Sequence, residues 1–232
     1  MTGVEPPLAL LAELTHRCPL RCPYCSNPLE MDARADEMDT ETWKRVLSEA
    51  KALGAMQVHF SGGEPTTRPD LGELVSHATS LGLYSNLITA AVALTDAKLT
   101  ELKEAGLAHV QISFQGTEPD IADRISGFDG AFVRKREAAE RVIAHRLALT
   151  LNAVINRHNV EQLPVFFEMA AAMKARRLEV AHVQYYGWGL KNRAALIPTQ
   201  AQVQETTRLV EQAREDYAGQ LVIDYVVPDY YS

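Results

Sequence analysis

The chain reads as an α/β protein, and within that class as a partial, open barrel of six strand-helix units. Three observations predict this. Short apolar runs alternate from end to end with longer segments of helical period, the pattern of a parallel sheet wrapped by helices. Six units are too few to close an eight-unit barrel, yet too regular for a fold assembled from unrelated pieces. The chemistry-bearing motifs directly follow the first two apolar runs, at the carboxyl ends of strands, where parallel α/β folds gather reactive groups.

The elements follow in order. Strands are expected at residues 8–14, 56–60, 83–89, 109–114, 148–155 and 179–185, each a run of apolar and β-branched residues. Helices are expected to begin near Thr40, Pro69, Thr95, Ala131, Val160 and Thr199. Asp39 or Thr40 and the run Leu94-Thr95-Asp96 supply amino-terminal capping chemistry for the first and third. The run 221–227 predicts a seventh strand. No low-complexity tract or linker divides the 232 residues, and 47% hydrophobic composition is enough to bury one large core, so residues 1–232 read as one domain. The final run, Pro228-Asp229-Tyr230-Tyr231-Ser232, is abrupt enough to mark a domain boundary.

Charge narrows the function. A formal net charge of -7 argues against broad capture of nucleic acid or of an anionic membrane surface. The first seven residues lack a secretory pattern, and no apolar stretch reaches the ~18 residues a membrane span needs. A reducing cytoplasm is the expected compartment, since the only three cysteines are crowded together and cannot pair off.

Those cysteines are Cys18, Cys22 and Cys25, spaced Cys-x3-Cys-x2-Cys directly after the first strand. Soft thiolates this close suit one metal centre. A cubic iron-sulfur cluster held by three of them leaves one iron without a protein ligand and open to a small molecule. A structural zinc site is the alternative, with His16 as the nearest fourth ligand. The second motif, Ser61-Gly62-Gly63-Glu64-Pro65, follows the second strand. Its glycines let backbone approach a ligand closely, and Glu64 offers negative charge to an ammonium. Ser113 and Asn152 lie in the fourth and fifth strands, where an apolar barrel would not ask for polar side chains. The run Tyr185, Tyr186, Trp188, Lys191 and Arg193 follows the sixth strand, where rings and cations could line a peptide's entrance. No dinucleotide fingerprint or phosphate-loop lysine motif occurs.

The cysteine spacing, the aromatic Tyr24 before the last cysteine and the Gly-Gly-Glu segment one unit later resemble the radical S-adenosylmethionine (SAM) superfamily. The resemblance implies a (β/α)6 TIM-like partial barrel, a [4Fe-4S] cluster on Cys18, Cys22 and Cys25, and S-adenosylmethionine bound at the fourth iron. It further implies Tyr24 beside the adenine, Gly62, Gly63 and Glu64 at the methionyl ammonium, Ser113 near the cofactor's polar atoms and Asn152 near the ribose. It identifies no catalytic acid or base. Phrases around the motifs, among them Leu11 to Leu20, Cys22 to Leu29, Val110 to Gln115 and Val183 to Trp188, resemble one branch, the PqqE family of pyrroloquinoline quinone biosynthesis. That resemblance implies cleavage of S-adenosylmethionine to a 5'-deoxyadenosyl radical and a carbon-carbon cross-link between a glutamate and a tyrosine of the precursor peptide PqqA. The peptide chaperone PqqD and a reductase or flavodoxin-type electron donor are its implied partners. The branch also carries a carboxyl-terminal SPASM domain with further cluster-binding cysteines, whereas no cysteine follows Cys25 here. A radical enzyme maturing another peptide or protein, or a non-catalytic metal-binding module, are the competing readings.

Overall fold

The computed structural model describes residues 5–226. Seven strands, β1 (Ala9–Glu13), β2 (Gln57–Ser61), β3 (Tyr84–Thr89), β4 (His109–Phe114), β5 (Ala148–Ile155), β6 (Arg177–His182) and β7 (Val222–Val226), run parallel in one sheet in chain order. The sheet curls into a half-barrel. Helices α1 (Thr40–Ala52), α2 (Leu71–Ser80) and α3 (Asp96–Glu104) follow the first three strands. Helices α4 (Pro119–Ser126) and α5 (Ala131–Ala144) follow β4, and α6 (Leu163–Ala172) follows β5. After β6 come α7 (Gly187–Lys191), α8 (Arg193–Leu196) and α9 (Gln200–Asp216). The partial barrel and its seventh strand are as expected.

The two faces of the sheet differ because strand residues alternate. Val110, Ile112 and Phe114 of β4 and Leu149, Leu151 and Ala153 of β5 are fully buried in the core that also holds helical residues such as Leu74, Val142 and Phe166. The alternate residues, His109, Gln111 and Ser113 on β4 and Thr150 and Asn152 on β5, share the inner face. A sheet covered by helices on both faces would read as continuous apolar runs. Here one face is polar, and register sets Ser113 beside Asn152 and Asn152 beside Glu179 on one rung across β4, β5 and β6.

Expected and observed bounds agree for β4 and β5 and within about two residues for most others. Asp39 caps α1 by accepting from the Thr42 amide at 2.8 Å, and Thr95 and Thr199 cap α3 and α9. Three differences have physical causes. Strand β6 begins two residues earlier than expected and ends at His182, because the chain then turns so that α7 can meet the cysteine loop. Helix α6 begins at Leu163 after a short 3-10 turn over Val160–Gln162. Helix α4 has eight residues, too few for its period to stand out; Asp123 joins it to α5 by accepting from the Gly130 and Phe132 amides at 2.6 and 2.8 Å. Position 227 of the seventh-strand run and the Pro228 to Ser232 run lie outside the described residues, as do positions 1–4. Among the described residues no helix is long and apolar enough to cross a membrane.

Candidate functional site

The three cysteines sit on the loop leaving the carboxyl end of β1, unpaired, with Cys18 exposed and Cys22 and Cys25 half-buried. Backbone hydrogen bonds from three other loops hold this one in place. From the loop after β2, Gly63 N–H donates to the Thr15 carbonyl at 2.5 Å and Glu64 N–H to the Arg17 carbonyl at 2.6 Å. At the end of α4, the Ser126 carbonyl accepts from Arg21 N–H at 2.7 Å. From α7, Trp188 and Gly189 N–H both donate to the Cys25 carbonyl, at 3.0 and 3.2 Å, while the Asn192 amide reaches the Pro23 carbonyl at 2.9 Å. The aromatic run expected at a peptide entrance therefore also clamps the cysteines. Its Tyr186 remains 65% exposed, with Lys191 over the Trp188 ring and Arg193 over the Tyr185 ring.

The Gly-Gly-Glu segment packs against the cysteine loop. A Cβ on Gly62, whose φ is +119°, would lie 2.5 Å from the Thr15 carbonyl oxygen; one on Gly63 would strike the Arg17 carbonyl oxygen closer still. The absence of a Cβ at both positions thus admits the cysteine loop. Glu64 is 1% exposed, and its carboxylate accepts from the Thr66 amide at 3.0 Å, the Thr66 hydroxyl at 2.6 Å, the Thr89 hydroxyl at 2.8 Å and the Ala90 amide at 2.6 Å. The carboxylate expected to face an ammonium is thus turned inward, tying the loop after β2 to the end of β3.

Two arginines that sequence reasoning passed over brace the same rim. Arg68, 5% exposed, donates to the carbonyls of Leu14 at 3.1 Å and Met38 at 3.0 Å and grips Asp70 with two nitrogens at 2.9 and 2.6 Å. Arg17 pairs with Glu37 through two contacts at 3.0 and 3.1 Å, and this bond from Arg17 holds the Glu37 carboxyl below the usual carboxylate range.

Tyr24 packs into the site with its hydroxyl accepting from the Gln115 amide at 2.8 Å. Gln115 Oε1 in turn accepts from the Lys135 ammonium, which also reaches the Ser113 carbonyl at 2.8 Å. Lys135 is 1% exposed and makes no ion pair with a carboxylate among the described residues. Burial pulls it down to about 8, against the field of Cys22, Cys18, Glu64 and Asp123. Burial likewise raises Cys22, whose thiolate the Lys135 charge favours. Such thiols give up their protons when a metal replaces the lost hydration. Lys135 was legible: it falls on the buried stripe Ala131, Lys135, Ala138, Ala139, Val142 of α5.

A thiolate-only donor set on one braced loop fits an iron-sulfur cluster, in which each thiolate meets its own iron. The zinc alternative fits less well. His16 Nδ1 already accepts from the Asp32 amide at 3.0 Å, and among the described residues no three His, Cys, Asp or Glu side chains converge where a single ion could sit. On the inner face, register sets Ser113 and Asn152 side by side. Asn152 Nδ2 donates to Glu179 at 3.1 Å, leaving Asn152 Oδ1 buried with no partner in the protein. That orphaned acceptor fits a ligand bearing hydroxyl groups. Glu179, which the alternation of β6 could have revealed, is raised by burial above the usual carboxylate range. A cleft of about 570 Å³ lined by Ile143, Arg146, Ala148, Lys174, Arg176 and Gln220 lies at the opposite end of β5 and β6 and holds none of these residues.

Comparison with known proteins agrees with this arrangement. Residues 12–170 match the Radical SAM superfamily. PqqA peptide cyclase of Bradyrhizobium diazoefficiens is 60% identical over 226 residues, covering 97% of this chain and 60% of the relative. That of Rhodopseudomonas palustris is 61% identical, with the same coverage. The chain thus spans about 60% of the length of these curated relatives. Among solved structures, Streptococcus suis SuiB bound to precursor peptide SuiA shares the fold, with a TM-score of 0.80, 20% identity and coverage of 96% of this chain and 49% of SuiB. Native anSMEcpe with bound AdoMet and Kp18Cys peptide superposes with a TM-score of 0.75 and 17% identity, covering 95% of this chain and 64% of that one. With its three thiols on a braced loop at the carboxyl end of a parallel half-barrel and the family match running through most of its length, the chain belongs to the radical SAM superfamily.

Proposed function

We propose that residues 1–232 form the core domain of a PqqA peptide cyclase, which joins a glutamate side chain to a tyrosine ring of PqqA in pyrroloquinoline quinone biosynthesis. The observation that carries this reading is the cysteine loop itself, three thiols braced by the loops after β2, β4 and β6 beside a polar inner face. Identity of 60–61% to PqqA peptide cyclases over 97% of this chain supports the choice of substrate.

In this reading Cys18, Cys22 and Cys25 would hold a [4Fe-4S] cluster that also takes S-adenosylmethionine, and the two together would supply reductive cleavage to a 5'-deoxyadenosyl radical. The chain's own residues then do the positioning. Tyr24, fixed by Gln115, borders the nucleoside; Gly62 and Gly63 shape the wall at the methionyl group, with Glu64 stiffening that wall from behind; Ser113 and Asn152 present polar atoms along one rung. Close placement decides which C–H bond reacts, because a primary carbon radical takes the nearest hydrogen. Tyr186 and the Trp188–Lys191 pair border the path of the peptide. PqqD as chaperone, a reductase or flavodoxin-type donor, and a reducing cytoplasm complete the proposal. Any further cluster of the SPASM type takes its thiolates from outside these residues, since the chain has three cysteines in all.

Anaerobic reconstitution tests it. The protein is expected to take up about four irons, to form 5'-deoxyadenosine from S-adenosylmethionine with dithionite, and to lose both properties on Cys22→Ala. Mass spectrometry of PqqA treated with the enzyme, PqqD and the remainder of a cyclase should show the loss of two hydrogens. A zinc-loaded, iron-free protein would sink the proposal; iron uptake with cleavage but modification of a different peptide would redirect the substrate.

A further inference from the structure

The inner face carries a hydrogen-bond chain that runs on from Asn152 through residues the proposed cofactor contacts do not use. Glu179 on β6 accepts from Asn152 Nδ2 on β5 and from Gln111 Nε2 on β4, each at 3.1 Å. Gln111 Oε1 accepts from Asn86 Nδ2 on β3 at 3.4 Å, and the same nitrogen faces His59 Nδ1 on β2 at 3.0 Å. Gln111 and Asn86 are buried, at 8% and 2% exposure.

An amide side chain can turn over by exchanging its oxygen and nitrogen, so the atom it offers a ligand is set by its other neighbours. An ionised carboxylate accepts only. With one oxygen accepting from Asn152 and the other from Gln111, Glu179 in its ionised form obliges both to turn their NH2 groups toward it. Gln111 must then offer its oxygen to Asn86, which must offer nitrogen in return, and His59 Nδ1 must accept. Two oxygens, Asn152 Oδ1 and Asn86 Oδ1, are left buried without a protein partner. We propose that Glu179 is a positioning residue: by holding the Asn152 amide in one orientation it presents Oδ1 as an acceptor for a ribose hydroxyl of the bound nucleoside. The geometry makes Glu179 the source of the preference for hydroxylated sugar, although it acts through Asn152. This rests on the nucleoside reading above.

The test is binding of two non-cleavable probes, S-adenosylhomocysteine and its 2',3'-dideoxy analogue, to the anaerobically reconstituted holoenzyme by titration calorimetry. Loss of one well-formed hydrogen bond corresponds to about tenfold in affinity. Glu179→Gln, close in shape but able to offer either atom, is expected to weaken S-adenosylhomocysteine about tenfold and to leave the dideoxy analogue unchanged. Glu179→Asp keeps an accept-only group and should retain the preference for the hydroxylated probe. Asn152→Ala should abolish that preference, and adding Glu179→Gln to it should cost nothing more. Equal weakening of both probes by Glu179→Gln, or none, would overturn the role of Glu179 while leaving the nucleoside site standing. Loss of the preference in Glu179→Asp, with unchanged thermal unfolding, would do the same and serves should the glutamine variant fail to fold. Absence of binding by the unsubstituted holoenzyme would overturn the nucleoside reading and this inference with it.

Discussion

Replacing Gly63 by alanine separates two reasons for which a protein uses glycine. At Gly63 the backbone is not in the left-handed region, and the obstacle is space: an added Cβ would collide with the Arg17 carbonyl oxygen and lie 2.7 Å from both the Arg17 carbonyl carbon and the His16 oxygen. These are backbone atoms of the cysteine loop and cannot swing away. The loop must retreat, which breaks the Gly63–Thr15 and Glu64–Arg17 hydrogen bonds of 2.5 and 2.6 Å. Two hydrogen bonds at about 1 kcal/mol each and an overpacking cost of about 1–3 kcal/mol give roughly 3–5 kcal/mol. Gly130 is the control, with φ +78° and nothing within 4 Å of its would-be Cβ, so Gly130→Ala bears conformational strain alone, about 1–2 kcal/mol. Urea unfolding and iron bound per chain after reconstitution read the two parts of the prediction. Gly63→Ala should lower the unfolding midpoint well below that of Gly130→Ala and should lose iron; Gly130→Ala should keep it. Equal iron content and equal midpoints in the two variants would refute the idea that these glycines exist to seat the cysteine loop.

Two further changes probe the frame around the site. Arg68→Ala leaves Asp70 with the Thr40 hydroxyl but without its cation, strands the Leu14 and Met38 carbonyls, and is expected to cost about 3 kcal/mol in urea unfolding, with Arg68→Lys recovering less than half because an ammonium cannot make the two-nitrogen grip; a change below about 0.5 kcal/mol would contradict the structure. His182, 2% exposed and bonded through Nε2 to the Tyr225 hydroxyl at 3.1 Å, is pulled down to about 4 by burial. Its folded value lies below the unfolded one near 6.5, so the unfolded chain takes up the proton first; the stability is whole above about pH 6.5 and is lost as pH falls toward 4, by at most about 3 kcal/mol. His109, also pulled down to about 4 by burial, acts in the same window. Urea midpoints should therefore fall between pH 7 and pH 5, less steeply in His182→Gln, and parallel pH profiles would count against His182.

How much of this was readable in advance depends on whether a residue's role is set by neighbours in sequence or in space. The cysteine spacing and the apolar runs of β4 and β5 are local patterns, and the two strands lie where those runs place them. Ser113 and Asn152 were found by asking which strand residues break the apolar rule, and register brought them together. The same question put to β6 would have found Glu179, and helical phase would have picked Lys135 out of Arg134-Lys135-Arg136. The inward turn of Glu64 was out of reach. Its partners Thr89 and Ala90 lie 25 and 26 positions away, and only the pairing of β2 with β3 brings them near. Arg68 is hidden for the same reason, since its acceptor at Leu14 is 54 positions distant.

The distribution of buried charge explains why these hidden residues cluster at one end. A half-barrel sealed by helices on its outer face can bury apolar side chains anywhere on that face, and it does. Charged and amide side chains are costly to bury unless partnered, yet Glu64, Arg68 and Lys135 all lie within the loops or helices that meet the cysteine loop, and Glu179 lies on the rung below. Three of them satisfy a neighbour at a strand end or loop, Thr89 and Ala90 for Glu64, Leu14 and Met38 for Arg68, Gln115 for Lys135, while Glu179 satisfies Asn152 within β5. A loop with little apolar area to bury has to be fixed by hydrogen bonds instead, and hydrogen bonds hold a loop only when their other ends are rigid. The polar framework is thus what three exposed or half-buried thiols require if they are to stay at one spacing.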